Sequence, residues 1–153
     1  NLNNFVKNYN IRNFNMITAF DVIEHVENID EFIKQVSKCL LDNGYFVFST
    51  IFIDSLPAKL LGNYWPWIIP MHLSYFDEKN IKYYLKKNNF SIVSISNHVH
   101  YAKINYAITG LFNKLPSFFN FIGRLVTIFI PNKISIPFNL SDTKIVIAKK
   151  INR

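Results

Sequence analysis

The sequence predicts an α/β fold, and two apolar runs with an amphipathic stretch between them carry this prediction. Phe14–Phe20 and residues 45–51 are short, mostly apolar runs of the kind that forms strands buried on both faces. Between them, apolar residues recur at helical spacing: Ile29, Phe32, Ile33, Val36 and Leu40. A strand, a helix and a strand in this length predict a βαβ unit with two parallel strands and a right-handed crossover.

Capping and turn residues mark both ends of this first helix. Asn28 followed by Glu31 resembles a capping box, which predicts that the helix begins there. Asn43 and Gly44 follow the last apolar position, and they predict a stop with Gly44 in the left-handed conformation. The second strand is expected directly after this turn.

The rest of the chain predicts one further helix and two further strands. Asp77 can cap a helix that runs to about Asn88. Residues 90–96 alternate between apolar and polar side chains and predict a third strand, and residues 143–149 predict a fourth. Residues 101–130 are apolar and helical in tendency, with a break at Pro116. Because no repeat or domain boundary interrupts the pattern, residues 1–153 are expected to form a single domain.

A proline-rich segment around Trp65 and Trp67 separates the second strand from the helix at Asp77. It is long for a connection, and long ordered loops often cover active sites. Aromatic faces suit sugar rings and other flat apolar groups, so the two tryptophans are candidates for contact with a bound molecule. The alternative is that both indoles only anchor the loop in the core.

Composition and charge exclude several classes of protein. Half of the residues are hydrophobic and 16% are aromatic, which excludes a disordered chain. The single cysteine, Cys39, excludes an internal disulfide and agrees with a reducing, cytoplasmic location. The net charge of +7 is scattered, with one small cluster at Lys82, Lys86 and Lys87 that is typical of a solvated helix face. A nucleic-acid interface needs a denser basic stripe, so nucleic acid is not the expected partner.

The most hydrophobic stretch, residues 118–130, is too short to cross a membrane. It contains Arg124, and a spanning helix needs about 20 apolar residues. We therefore predict no transmembrane segment. A core helix is the first expectation here, and an interfacial helix or a lid remains open, which leaves room for peripheral contact with a membrane.

Several passages, through their order and spacing together, resemble class I S-adenosylmethionine-dependent methyltransferases. Residues 14–26, FNMITAFDVIEHV, resemble the fourth-strand region of that family, and residues 40–50 resemble its following turn and strand. Residues 70–76, PMHLSYF, resemble a His-Leu-x-x-Phe passage of one subgroup, and residues 142–150 resemble the closing strand. The resemblance implies a partial Rossmann-like sheet, mostly parallel with an antiparallel last strand, and helices on both faces. It also implies S-adenosylmethionine as the cofactor.

The family binds that cofactor with a glycine-rich turn and a ribose-binding acid, and neither is found in this chain. Its four glycines, Gly44, Gly62, Gly110 and Gly123, are far apart in the sequence. Glycines permit the close backbone approach that such a loop requires. We therefore expect this chain to be the C-terminal portion of the domain, with the first strands and the loop upstream of Asn1. Alone, it is expected to bind the cofactor weakly or not at all.

The resemblance places three residues beside the cofactor. Ala19, Phe20 and Asp21 lie at the carboxyl end of the first strand, where open parallel sheets bind ligands. By resemblance they face the methionine end of S-adenosylmethionine. The alternative is that Phe20 packs in the core and Asp21 only caps a turn.

The next residues contain the candidates for catalysis. Asp21, Glu24 and His25 share one face if this turn is helical, and His72 is a fourth member from the later loop. Some O-methyltransferases use a similar Glu-x-x-Glu-His turn with a distant histidine to hold a divalent ion. Many relatives carry the Glu-His pair without a known metal, and the second interpretation, preferred over a metal site, is a structural pair with His25 hydrogen-bonded near the sheet edge. A general base for a substrate hydroxyl is a third interpretation. We assign catalysis to Glu24, His25 and His72 and predict no metal.

The function implied by this resemblance is methyl transfer, with oxygen of a small-molecule or glycan-type acceptor as the expected target. A second hypothesis is a truncated or degenerate domain without activity that acts as a structural or partner module, because the glycine loop is missing from the chain. Methylation of nucleic acid is the third and is disfavoured by the scattered charge.

Overall fold

The computed structural model describes residues 13–103, 135–138 and 141–151. In the first of these ranges lie β1 (Phe14–Phe20), a 3₁₀ turn (Ile23–His25), α1 (Ile29–Cys39), β2 (Leu40–Ile51), α2 (Leu56–Leu61), a second 3₁₀ turn (Gly62–Tyr64), α3 (Glu78–Lys87), β3 (Phe90–Asn97) and β4 (His100–Lys103). The remaining ranges contain β5 (Ser135–Phe138) and β6 (Thr143–Lys150). The α/β prediction is confirmed.

Four of the described strands form the main sheet, in the order β1-β2-β6-β3. β1 and β2 are parallel neighbours, and β6 is antiparallel to both β2 and β3. The predicted parallel first pair and the predicted antiparallel last strand are confirmed. The prediction of a mostly parallel sheet is wrong for the described strands, because β6 lies between β2 and β3. β2 and β3 run in the same direction, but each of them pairs with β6, which runs in the opposite direction.

A second, two-stranded sheet pairs β4 with β5 in antiparallel orientation. Residues 101–103 belong to β4, so the helical tendency predicted from residue 101 is wrong at its beginning. Residues 104–130, including the hydrophobic stretch 118–130, lie outside the described residues. Among the residues that are described, no helix is long and apolar enough to span a membrane.

Both predicted helix starts are confirmed by their capping bonds. The Asn28 side chain accepts a hydrogen bond from the Glu31 N–H at 3.0 Å, which satisfies a backbone donor of the first turn of α1. At α3, the Asp77 side chain accepts from the Asn80 N–H at 2.7 Å, and the Asn80 side chain accepts from the Asp77 N–H at 3.0 Å. These reciprocal bonds form a complete capping box.

The two long helices lie on the same face of the sheet, hereafter the helix face. α1 contacts α3 as well as β2, and α3 contacts β3. Their buried residues, among them Ile33 and Ile81, pack with Phe46 and Phe48, whose rings stack at 4.7 Å between centroids. Helices on both faces were predicted; the described helices confirm one face, and a helix on the other stays a prediction.

The link from α1 to β2 differs from the expected glycine stop. The helix ends at Cys39 and β2 starts at the next residue. Asn43, with φ of 65°, takes the left-handed conformation that was predicted for Gly44. Gly44 is required for another reason, since a Cβ there would lie 2.9 Å from the Leu41 carbonyl oxygen and 3.1 Å from that of Asn15. The bare backbone of Gly44 therefore lets β1 approach this turn closely.

Candidate functional site

The candidate site lies at the edge of the main sheet where β1 and β2 end and β6 begins, hereafter the carboxyl edge. The turn that leaves β1 is held there by β2. The Ser49 hydroxyl accepts a hydrogen bond from the Asp21 N–H at 2.9 Å and donates to Asp21 Oδ1 at 2.7 Å. Asp21 has a positive φ of 51°, which only a few residue types other than glycine adopt readily. The two bonds to Ser49 thus hold the sharp turn that brings the following residues over the end of β2.

Glu24 is the buried polar centre of this turn. Its side chain is 2% exposed, and the Thr50 hydroxyl donates to its Oε2 at 3.0 Å. Its backbone carbonyl accepts from the N–H groups of Leu73 and Ser74 at 2.9 and 3.1 Å. Glu24 therefore joins the turn after β1, the end of β2 and the loop that leads to α3.

This loop brings His72 against His25. The centroids of their rings are 4.8 Å apart in an edge-to-face arrangement. Nδ1 of His25 bonds the Met71 carbonyl at 2.8 Å, and Nδ1 of His72 bonds the Trp67 carbonyl at 2.8 Å. Because a carbonyl oxygen only accepts, Nδ1 carries the proton in both rings. In the neutral form, each Nε2 then retains a lone pair that can bind a proton or a metal ion.

Of the candidate cluster of Asp21, Glu24, His25 and His72, three residues come together. One potential ligand atom from each of Glu24, His25 and His72 lies within 4.8 Å of the other two. Asp21 is not part of this group, because the helical turn contains only residues 23–25 and Asp21 precedes it with a left-handed backbone. The condition for Asp21, Glu24 and His25 to share one helical face, a helical turn that includes Asp21, is therefore not met.

The donor set of this group suits a divalent cation. Glutamate oxygen and imidazole nitrogen are common ligands at about 2.0–2.2 Å, so donors around one ion are at most about 4.4 Å apart. The observed spacing of up to 4.8 Å slightly exceeds that limit, so the side chains would have to move a few tenths of an ångström closer to hold one ion. Metal-bound histidines usually donate their other N–H to a carbonyl or carboxylate, as both of these rings do. Absence of a metal stays a prediction from the sequence, and the geometry is compatible with either outcome.

Comparison with known proteins identifies the family. A family model described as a methyltransferase domain matches residues 3–95, more than half of the chain. The chain belongs to the class I S-adenosylmethionine-dependent methyltransferases. The predicted family and its cofactor are thereby confirmed.

One curated relative agrees with this methyltransferase assignment, and two solved structures share the fold. The chain is 30% identical over 102 residues to the mitochondrial ubiquinone biosynthesis O-methyltransferase of Dictyostelium discoideum, covering 60% of this chain and 32% of that protein. A methyltransferase structure from Archaeoglobus fulgidus superposes with a TM-score of 0.58 at 18% identity, covering 98% of this chain and 65% of the other. The YcgJ protein of Bacillus subtilis gives 0.55 at 11% identity, covering 92% and 65%. The chain thus spans about a third of its curated relative and about two thirds of these structures.

The residues predicted to face the methyltransferase cofactor occupy different environments. The Ala19 side chain is buried in the core, so only its backbone can border a bound molecule. Phe20 is 51% exposed, and Asp21 is exposed beside it at the carboxyl edge. The alternative considered from the sequence, in which Phe20 packs in the core, is wrong, because this side chain is exposed. Contact of the three residues with cofactor stays a prediction.

The two tryptophans of the loop share one hydrogen-bond acceptor, the Asp142 carboxylate, which was not predicted from the sequence. The indole N–H groups of Trp65 and Trp67 both donate to Asp142 Oδ2 at 3.0 Å. Trp65 is fully buried and its ring cannot receive an acceptor molecule, whereas Trp67 is partly exposed and lies 6.3 Å from the His72 ring. The available signal was indirect: a buried indole needs a hydrogen-bond acceptor, and the chain contains few carboxylates.

Proposed function

We propose that this methyltransferase transfers the methyl group of S-adenosylmethionine to a hydroxyl oxygen of a small-molecule or glycan-type acceptor. The observation that carries the proposal is the pair of imidazoles at the carboxyl edge, 4.8 Å apart, with both Nδ1 atoms bonded to backbone carbonyls. An oxygen acceptor must lose a proton during transfer, and two rings with unprotonated Nε2 atoms provide bases for it.

The cofactor and the protein have different tasks in this reaction. S-adenosylmethionine supplies an already activated methyl group, so the protein aligns the acceptor, excludes water and removes one proton. Nε2 of His25 or His72 accepts that proton, while Glu24 holds the turn and the loop together through Thr50 and Leu73. Phe20 and Asp21 fit a position beside the cofactor because they are exposed where β1 ends. The glycines of this chain form no glycine-rich loop, so these residues are one part of a cofactor site.

The choice of oxygen is supported by the Dictyostelium relative, whose name describes an O-methyltransferase. The aromatic surface of Trp67 beside His72 supports an acceptor with a flat or apolar face, such as a phenol or a sugar ring. Trp65 does not contribute to this surface because it is fully buried.

The test is methyl transfer by the complete protein from labelled S-adenosylmethionine to panels of phenols and sugar hydroxyls. His25→Ala and His72→Ala should each lower turnover by about 10²–10⁴-fold, the usual effect of losing a general base. His98→Ala is the matched control, since His98 follows β3 and is not a member of the group of three. It should leave turnover near the wild-type value.

Two results would contradict the proposal. If the His25 and His72 variants lose melting temperature and keep turnover, the pair is structural. If the complete protein methylates no hydroxyl compound although it binds the cofactor, the domain is degenerate or has another acceptor chemistry.

A second candidate mechanism uses a divalent cation held by Glu24, His25 and His72. The specific observation in its favour is that the donor atoms lie within 4.8 Å of one another while both rings donate Nδ1–H to carbonyls. A cation there would lower the pKa of a bound acceptor hydroxyl. Metal analysis of the purified complete protein and chelator treatment distinguish the two mechanisms. Turnover that survives chelation without metal supports the general base, and turnover restored only by Mg²⁺ or Zn²⁺ supports the cation.

A further inference from the structure

We infer that Asp142 is a positioning residue that fixes the orientation and the proton position of His72 through Trp67. This inference rests on the proposed function of His72. It names a residue that no passage of the family resemblance assigns to the site, and it follows from a continuous series of hydrogen bonds at the carboxyl edge.

The pairing of β6 with β2 fixes the backbone of Asp142. Asp142 directly precedes β6, and its carbonyl accepts the Phe52 N–H at 2.7 Å, while the next residue, Thr143, pairs with Ile51 of β2. Because β6 is antiparallel to β2, the beginning of one strand meets the end of the other. Asp142 therefore arrives at the same edge as Glu24 and the two histidines, although it is far from them in sequence.

The carboxylate of Asp142 is an unusual anchor for this loop. The residue is 3% exposed, and a buried carboxylate is stable only if donors satisfy its oxygens. Two such donors are the indole N–H groups of Trp65 and Trp67, both at 3.0 Å from Oδ2. A single buried oxygen thus sets the positions of two loop residues that are two apart in the chain.

Trp67, whose position is set by Asp142, in turn contacts His72 through its backbone and its ring. Its backbone carbonyl accepts the Nδ1–H of His72 at 2.8 Å, and its indole ring lies at 28° to the imidazole. His25 is held in a different way, by the Met71 carbonyl. Displacement of Trp67 should therefore release His72, so that the ring can rotate and the proton can move to Nε2. A ring with its proton on Nε2 cannot accept another proton there.

The first experiment measures the proton position directly, without cofactor or acceptor. Heteronuclear NMR of the imidazole nitrogens in the complete protein should show His72 in one form, with the proton on Nδ1. Trp67→Phe removes the indole N–H but keeps an aromatic ring and the carbonyl, and it should give a mixture of both tautomers at His72. Asp142→Ala should do the same, and Asp142→Asn, which retains an acceptor oxygen, should restore the Nδ1–H form.

Trp65→Phe is the matched control. It removes the other hydrogen bond to the same oxygen, but the Trp65 carbonyl bonds the Ile68 N–H and not His72. This variant should lower stability and leave the His72 tautomer unchanged. An equal change in the Trp65 and Trp67 variants would overturn the path through Trp67. A single Nδ1–H form in both Trp67→Phe and Asp142→Ala would overturn the inference as a whole.

A double-mutant cycle on turnover separates this inference from the proposed function. If Asp142 acts through His72, Asp142→Ala should lower turnover about 10-fold or more in the wild type and should have little further effect in the His72→Ala background. Full additivity of the two losses would overturn the inference. Tautomer changes without any loss of turnover would instead support the positioning and overturn the proposed role of His72.

Discussion

The helix face of the sheet is buried by apolar side chains, whereas the carboxyl edge buries polar ones. On the helix face, Phe46, Phe48 and Ile33 are fully buried among other apolar residues. At the carboxyl edge, Glu24 and Asp142 are buried to nearly the same degree, and each accepts side-chain hydrogen bonds. Apolar packing dominates in the first region, whereas side-chain hydrogen bonds to buried carboxylates hold the second. Substitutions in the two regions should therefore have different effects on stability and turnover.

The largest effect on stability is expected on the helix face. Phe46→Ala removes a fully buried ring that stacks on Phe48, and it should lower the free energy of unfolding by about 3–5 kcal/mol because a cavity remains. Urea unfolding measures this loss. Leu60→Ala, in α2 where the side chain is 76% exposed, is the control and should change stability by less than about 0.5 kcal/mol. Similar losses in both variants would contradict the assignment of the core.

A smaller loss of stability, due to a single hydrogen bond, is expected at the carboxyl edge. Thr50→Val keeps the shape of the side chain and removes the hydroxyl that donates to Glu24 Oε2, leaving a buried carboxylate with one partner fewer. The free energy of unfolding should fall by about 1–3 kcal/mol, and turnover of the complete protein should fall with it. Thr50→Ser retains the donor and should preserve both. If valine is harmless, the contrast between an apolar face and a hydrogen-bonded edge does not hold.

The smallest effect concerns the ion pair that joins the two helices on the outside of the helix face. Lys87 Nζ lies 2.7 Å from Asp30 Oδ2, and this hydrogen bond, with a second from Asn88, lowers the pKa of Asp30. The same pair raises the pKa of Lys87. Because both groups are solvent-exposed, only a slight contribution to stability is expected.

The sign of its pH dependence follows from these directions. A carboxyl whose pKa is lowered on folding stabilises the protein above its unfolded pKa, and this contribution is lost as the pH falls through the folded pKa. The lysine contribution is lost only as the pH rises through its raised pKa. Lys87→Met should therefore be slightly less stable than the wild type at neutral pH and equal to it in strong acid. A difference that persists in acid would show that the charge interaction between Asp30 and Lys87 is not its cause.

Patterns of local origin were predicted well. Strand β1 was predicted with its observed bounds, and the caps at Asn28 and Asp77 were correct because each depends on residues within three positions. Helix α2, from Leu56 to Leu61, was missed within a segment taken as a loop. Six residues are too few for a clear helical period, and its start, a Ser55 cap with Pro57 in the first turn, was read only as a proline-rich connection.

Features that depend on distant partners were not predictable in the same way. The close contact of Gly44 with Asn15 and the bonds of Asp142 to two tryptophans join residues that no local pattern relates. The convergence of His25 and His72 was expected from their places beyond strand ends, and their ring centroids lie 4.8 Å apart. What the sequence could not provide were the carbonyl partners of the two rings, because these depend on the path of the loop.

The central position of β6 also affects how the protein is made. Of the described strands, β6 comes last in the sequence and separates β2 from β3, and its pairs with β2 join residues as far apart as Tyr45 and Lys149. Such distant pairing closes large loops and slows folding. During synthesis, β1, β2 and α1 can associate early, but β3 can join them only after β6 has been made. A nascent chain stalled before residue 143 would expose two strand edges that later face β6, which makes this interval the one in which chaperone protection matters most.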